Sequence, residues 1–407
     1  MKKILIGLLL LIPFGTLFSQ TLLEAEIRPR LIYDNGYKSI QNPLEPGFAY
    51  FSQRTRLSAS YTNDKAAVYI SFQDVRLWGD DDMYNANGVY GNSASTGIHQ
   101  AWLLLTPNEN LSLKLGRQCF SYDDQRILSA RAWNDYQVTY DAALVTYKIQ
   151  NHQLEAAFSL NANNTSGVYY SPIKLKTLDF IHYQWKSDNT TLSALALISG
   201  KMASETATSL DYMSTLGAGV NTSVDGYGLR ANLYIQNGLF NNPKEPSFCL
   251  SVEVDKLMNN ENFKTSLGAD LISGANDHQS TFDLLYGKRH GYYGYMDYFS
   301  NTPTLGLVDL FGTVTYFVNE NLSLKADYHY FAQQQSTSQD KTHPTLGNEI
   351  DITCKWKYTK DITLQAGYSV FIPPTYTLNN SAEETVKMQH FLYVMITAKP
   401  SLFLSKE

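Results

Sequence analysis

The chain has 407 residues, a net charge of −6 and a composition 43% hydrophobic, 17% charged and 13% aromatic, with 29 Tyr among the aromatics. So many aromatics with so few charges exclude a disordered chain, and the acidic balance argues against a nucleic-acid partner. The cysteines Cys119, Cys249 and Cys354 are widely spaced, odd in number and without a Cys-x-x-Cys motif, which excludes a disulfide scaffold.

The chain opens on Met1-Lys2-Lys3, continues through the almost wholly apolar run from Ile4 to Phe14, and reaches small or polar residues by Ser19 and Gln20. Basic start, short apolar stretch and polar end are the pattern of a secretory signal peptide, expected over 1–20 with cleavage near Ser19 or Gln20. The run falls short of the about 20 apolar residues that a membrane-spanning helix needs. The mature chain, 21–407, is expected to be exported as a single domain.

From there the hydropathy alternates with period two rather than 3.6, which is the side-chain period of a strand. Arg230, Asn232, Tyr234 and Gln236 alternate with Leu229, Ala231, Leu233 and Ile235. Ser323, Lys325, Asp327 and His329 alternate with Leu324, Ala326, Tyr328 and Tyr330. About eighteen such segments follow one another, from 22–34, 49–62 and 65–78 through 110–120 and 131–148 to 361–372 and 387–398, each near the ~9–11 residues of a tilted strand crossing a bilayer.

The connections alternate short and long. Asn63-Asp64, Asp225-Gly226, Asn319-Glu320 and Thr359-Lys360 are tight turns with hairpin chemistry. Those near 35–48, 79–95, 121–130, 276–303, 334–346 and 373–386 are long and rich in Tyr, Asn, Ser, Gly and Pro. A soluble sandwich has no reason to alternate in this way. An outer-membrane barrel has one, with short turns in the periplasm and long loops outside. The expected fold is therefore all-β: a transmembrane, antiparallel, up-and-down β-barrel of about eighteen strands, closed because lipid leaves no other partner for backbone polar groups. Aromatics near segment ends, among them Tyr61, Trp78, Trp133, Tyr147, Trp356, Phe371 and Tyr393, fit interfacial girdles.

A barrel of about sixteen to eighteen strands leaves an aqueous channel, so inward side chains decide function. Arg28 and Arg30 share the polar face of the first strand with Glu24 and Glu26. Arg54 and Arg56 share the polar face of the second with Ser58 and Ser60. A lipid-facing Arg at mid-depth costs roughly 2–4 kcal/mol, so these four are expected inside, close together on one wall. Two readings stand side by side. They brace the wall by pairing with Glu24, Glu26, Asp74 and Asp141, or they form a cationic track for anionic oxygens. Pro29 calls for a local bulge. Arg117 faces lipid by strict parity with Leu111, Leu113 and Leu115, and a bulge at Gly116 would turn it inward.

Several ordered pieces resemble the alginate-export family of outer-membrane barrels: Arg54-x-Arg56, Asp74-Val75-Arg76-x-Trp78-Gly79, Leu115-Gly116-Arg117-Gln118, Tyr122 to Leu128, Arg131-Ala132-Trp133-Asn134, Tyr140-Asp141-Ala142-Ala143, and the run from Leu285 to Phe299. The resemblance implies an eighteen-stranded barrel in the outer membrane with an Arg-lined pore for an anionic polysaccharide or another small anion. It carries over Arg54, Arg56, Arg76, Arg117, Arg126 and Arg131 as pore-lining, with Asp74 and Asp141 as partners. Tyr122-Asp123 stands where the family pattern has Tyr-Gly-Asp, and the C-terminal half is short of Arg.

The eight His form no HExxH motif, so no metal or cofactor is expected. Asp80-Asp81-Asp82 reads as a solvated loop, with calcium as the alternative. No Ser-His-acid pattern is recognisable, and the chain is read as a channel rather than an enzyme. The other classes weighed are an outer-membrane lipid hydrolase and a structural or docking barrel plugged by its own loops. The expected partners are outer-membrane lipid and an anionic saccharide or small anion.

Overall fold

Alternation along the chain gives each segment one apolar and one polar side, and the segments form the strands that this requires. The computed structural model describes residues 19–42, 45–79, 95–161, 175–204, 209–239, 245–258, 262–276, 279–336, 345–374 and 387–406. The expected signal peptide, apart from its last two residues, and the Asp80-Asp81-Asp82 run lie outside them. The strands are β1 (Gln20–Asn35), β2 (Phe48–Thr62), β3 (Ala66–Leu77), β4 (Ser95–Asn108), β5 (Leu111–Gln118), β6 (Tyr140–Ile149), β7 (His152–Leu160), β8 (Leu175–Lys186) and β9 (Thr190–Met202). They continue as β10 (Leu210–Val224), β11 (Tyr227–Leu239), β12 (Ser247–Met258), β13 (Phe263–Ile272), β14 (Leu307–Phe317), β15 (Leu322–Ala332), β16 (Thr345–Lys357), β17 (Ile362–Ile372), β18 (Gln389–Ala398) and β19 (Ser401–Lys406).

Neighbouring strands pair antiparallel, and the sheet closes on itself. β1 runs against β18 from Ile27↔Ala398 to Asn35↔His390, and against β19 from Gln20↔Lys406 to Glu24↔Ser401. β18 and β19 are two halves of one strand, interrupted at Lys399-Pro400 where proline has no N–H for the ladder; the Pro400 carbonyl still accepts from the Ala25 N–H at 3.1 Å. The barrel thus has 18 strands. Closure leaves no sheet edge, which is what a hydrocarbon surround demands. The β1–β2 ladder passes through Pro29↔Gln53 without a shift, and the β1–β18 ladder skips Arg28 and Pro29 but keeps its register on either side, so Pro29 interrupts one ladder without a bulge.

The outer wall is apolar. Ile27, Leu57, Phe72, Phe158, Ile181 and Ile352 are exposed, and Leu267 is 73% exposed. In water such a surface would be an association hazard; on a membrane barrel it is the lipid contact. Tyr61, Trp78, Tyr147, Trp356 and Tyr358 are exposed near strand ends and suit interfacial girdles. Trp133, Phe371 and Tyr393 are not part of such a girdle: they face the lumen, where Trp133 stacks on His290 at 3.7 Å and packs edge-on against Tyr393.

Two long connections depart from the expected exterior course. The 131–148 segment is a strand only from Tyr140; residues 119–139 form a loop that runs inside the barrel. The connection between β13 and β14 also folds inward. Phe282, Leu284, Leu285, Tyr293, Met296 and Phe299 from this second loop join Phe120, Ile127 and Leu128 from the first in one buried cluster, against wall residues such as Phe331 and Phe391. Both loops carry apolar side chains that outside the barrel would stay in water. Burying one such side chain is worth about 1.5–3 kcal/mol, and this holds the loops in the lumen.

Candidate functional site in the barrel lumen

The inward face of β1 and β2 carries the four arginines in the expected arrangement, with Arg28 opposite Arg54 and Glu26 opposite Arg56 in the ladder. All four are buried. Their guanidinium groups meet the first lumenal loop. Arg28 donates to the Ala132 carbonyl at 2.7 Å and to the Asp135 carboxylate, and Arg30 donates to the Trp133 carbonyl and to Asp135 Oδ2, both at 3.0 Å. Arg54 donates through Nε to Glu26 at 2.7 Å and reaches the Asn134 carbonyl at 3.3 Å. Arg56 is held by the Gln73 side chain. The arginine wall is therefore a dock for residues 132–135. Burial pushes the Asp135 carboxyl up, but the Arg30 and Arg28 charges outweigh it and hold that carboxyl below the usual range.

Arg76 and Arg117 stand elsewhere. Asp74 and Arg76 share the outward face of β3 with Val68, Ile70 and Phe72, and they pair with each other at 2.7 Å. Arg117 pairs with Asp141 at 2.7 Å, opposite it in the β5–β6 ladder, on the outward face that also carries Leu115 and Val145. The ladders run through Gly116 without a register shift, so no bulge turns Arg117 inward. Gly116 does adopt φ +117°, and a Cβ there would lie 2.3 Å from the Ala101 carbonyl oxygen. Its role is a close approach of two strands. Both outward pairs lie toward the long-loop ends of their strands, the level at which lipid headgroups replace hydrocarbon.

Arg126 and Arg131 are carried by the first lumenal loop. Arg126 is 3% exposed and joins three parts of the molecule. It donates to Asp124 of its own loop at 2.7 Å, to Asp270 of β13 at 2.9 Å and to the Tyr293 hydroxyl of the second loop at 2.8 Å, and it stacks over the Tyr292 ring at 4.0 Å. Burial opposes its charge, but Asp270, Tyr293 and Asp124 outweigh burial and keep it charged. Backbone contacts reinforce the joint. Ser129 N–H donates to the Tyr286 carbonyl at 3.1 Å, and Lys288 N–H to that of Gln125 at 2.7 Å. At Gly287 a Cβ would come within 1.9 Å of the Arg126 carbonyl oxygen, so only glycine admits this approach. Arg131 donates to the carbonyls of Gly287 and Leu285 at 3.0 and 2.7 Å.

The second loop is fixed on its far side as well. Met296 N–H donates to Glu349 of β16 at 2.7 Å, and His290 contacts Asp297 at 3.0 Å. The two loops narrow the lumen and leave chambers around them. On the long-loop side, Lys38, Arg131, Trp133, Lys288, Arg289 and Asp297 are among the residues lining a space of about 380 Å³. Asp135, Asp270 and the Lys288-Arg289 pair were not singled out from sequence. Asp135 directly follows the Arg131-Ala132-Trp133-Asn134 motif, and Lys288-Arg289 lie within the run from Leu285 to Phe299, so adjacency to these motifs is the sequence signal that points to them.

A closed barrel of this size with an apolar belt, inward charges and loops folded into its lumen is an integral outer-membrane channel. The sequence profile of the alginate export family matches residues 46–385, and the chain belongs to that family. No curated protein sequence matches it significantly. Among solved structures, the outer-membrane protein OpdK of Pseudomonas aeruginosa is similar with a TM-score of 0.60 at 11% identity, over 94% of this chain and 98% of that one. OccAB1 of Acinetobacter baumannii gives 0.62 at 10% identity, over 94% and 97%. OpdK solved with vanillate gives 0.62 at 10% identity, over 94% and 98%. The family and these neighbours are outer-membrane channels rather than enzymes.

Proposed function

We propose that this barrel carries anionic saccharides or other small carboxylates passively across the outer membrane, with a preference for anions. The observation that carries the reading is the charge of the long-loop chamber. Lys38, Arg131, Lys288 and Arg289 line it with Asp297 as the opposing carboxylate, and Asp297 already engages His290 and the Tyr37 hydroxyl. None of these four cations has a carboxylate within ion-pair distance among the described residues. Low-dielectric walls focus such a field onto a passing solute. The overall charge of −6 is a sum over the whole chain and does not set the local field. OpdK, a barrel of this fold, has been solved with vanillate, a small carboxylate. Of the ten residues expected at the pore, we assign Arg131 to the solute path. Arg28, Arg30, Arg54 and Arg126 hold the loops that shape it, Arg56 is bound within the wall by Gln73, and Asp74, Arg76, Arg117 and Asp141 lie on the outer wall. We read 1–20 as the export signal and 21–407 as one barrel domain.

A planar-bilayer recording of the purified protein under a KCl gradient tests this. The reversal potential should report anion preference that weakens as salt rises, since screening at physiological salt already acts over ~8 Å. A uronic-acid oligosaccharide should block current more strongly than a neutral one of equal length. Cation preference would overturn the reading, and absence of conductance would make this the plugged barrel.

A further inference from the structure

Among the chambers around the two lumenal loops, three share one lining residue and lie on different sides of the joint between the loops. The long-loop chamber includes Lys38, just beyond the end of β1, and Ser300. A chamber of about 530 Å³ is lined by Thr191, Asn221 and Arg230, all near the short-turn ends of β9, β10 and β11. A third, of about 260 Å³, reaches Lys264, Thr315 and Lys325, near the short-turn ends of β13, β14 and β15. Lys288 lines all three. It therefore stands at the waist, where a solute leaves the outer chamber for either inner one.

The charge balance changes across that waist. Apart from Lys288, the larger inner chamber sets Arg230 against Asp123 and Asp124. In the smaller one, Arg230, Lys264 and Lys325 pair with Glu253, Asp255 and Asp327, respectively. Lys288 has no such partner among the described residues. Its Nζ lies over the Tyr292 ring, 5.2 Å from the centroid. Its mount is rigid all the same, because its own N–H and the Gly287 carbonyl are both bonded into the first loop.

We propose that Lys288 is the selectivity-determining residue of the channel, docking one carboxylate of an anionic saccharide at the waist as the solute passes between the chambers. This rests on the channel reading above and assigns its selectivity to one side chain. The Lys288 side chain is exposed to the lumen. Desolvation by the surrounding protein, with the Lys325 and Arg126 charges and against the Asp124 carboxylate, makes the ammonium harder to keep charged, so an arriving carboxylate relieves it. A charge on a fixed backbone loses little freedom when it binds, which favours recognition. The same placement makes recognition one-sided: an oligouronate entering from the long-loop side meets the cationic chamber first, whereas one from the short-turn side meets balanced charge.

The test uses the full-length barrel in planar bilayers, with oligogalacturonate as the probe and a maltooligosaccharide of equal length as the neutral control. Lys288→Gln should raise the half-blocking oligogalacturonate concentration about ten-fold, the loss expected for one charge-assisted contact, and move the reversal potential toward zero. Lys288→Arg should retain both properties. Lys288→Met serves as a second neutral variant, and heat-shifted migration on gels verifies that each barrel is folded. Wild-type block should be stronger from the long-loop side. If the wild type selects anions and is blocked by the probe while both neutral variants behave like it, the assignment to Lys288 is overturned and the channel reading stands. A wild type that neither prefers anions nor is blocked overturns both.

Discussion

Asp135 and Arg30, 105 positions apart in the sequence, meet inside the barrel with Asp135 Oδ2 3.0 Å from Arg30 Nη2, while the other carboxylate oxygen takes Arg28. One loop carboxylate thus spans two arginines of the same strand face, and arginines that the sequence allows either as wall braces or as a cationic track engage the protein's own loop.

Removing that carboxylate should undock the loop and uncover the arginines. Each charge-assisted hydrogen bond is worth about 1.5–3 kcal/mol, so Asp135→Ala should shift the docked–undocked balance by about ten- to a hundred-fold. Single-channel recording should show larger conductance and stronger anion preference than in the wild type. Unchanged conductance would mean that the Ala132 and Trp133 carbonyls alone hold the loop.

Acid should act through the same group. The Asp135 carboxyl is held below its ordinary value, about 3.9, by Arg30 and Arg28 against the effect of burial. A carboxyl depressed in the folded state contributes stability that is complete above the ordinary value and is lost as pH falls through the folded one. Conductance should therefore be flat from neutral pH to about pH 5 and rise only below about pH 4. In Asp135→Asn this acid rise should disappear; its persistence would assign it to another group.

Arg126→Met should free both lumenal loops at once. It leaves Asp270, 1% exposed, without its cation, and breaking a buried pair from one side costs about 3–5 kcal/mol. The barrel should stay closed, because its ladders do not involve Arg126, while added protease begins to cut within 279–303. Adding Asp270→Asn should recover part of the loss by removing the stranded charge. Equal cleavage in wild type and Arg126→Met would show that the apolar cluster holds the loops unaided.

In wild-type cells, protease added outside should spare 282–299, since Phe282 and Met296 are buried at 1% and 0% exposure inside the lumen. Asp225-Gly226 and Thr359-Lys360 should be spared for a different reason: they are short turns on the periplasmic side. Cleavage at these turns from outside would reverse the topology, and rapid cleavage within 282–299 would place the second loop outside the barrel.

Arg54→Glu sets a carboxylate beside Glu26, which Arg54 normally contacts at 2.7 Å. The expected result is a barrel that unfolds at lower temperature on a heat-shift gel, with loss of loop docking, rather than a barrel with simply reversed selectivity. Full retention of heat stability with reversed selectivity would return Arg54 to the solute path.

The wall is legible in the order of residues alone. Period-two alternation, hairpin chemistry and alternating connection lengths are properties of adjacent residues, and the membrane tolerates only one closed arrangement of such segments. That is why β1, β2, β3 and β17 lie within about two residues of their expected limits, and why the inward course of Arg28, Arg30, Arg54 and Arg56 followed from parity alone. The same parity put Arg117 outside, and Gly116 did not reverse it. What fills the lumen depends on contacts between residues far apart in the chain. Arg131 to Gln137 have an aromatic and polar composition that suits a strand, yet contacts from Arg28 and Arg30, more than a hundred positions away, hold part of this stretch as an inward loop. The joint at Arg126 and Tyr293 spans 167 positions, and Lys288 reaches the waist only because Gly287 packs against Arg126. Loop docking depends on which distant groups come to face each other after closure, and no local period records that.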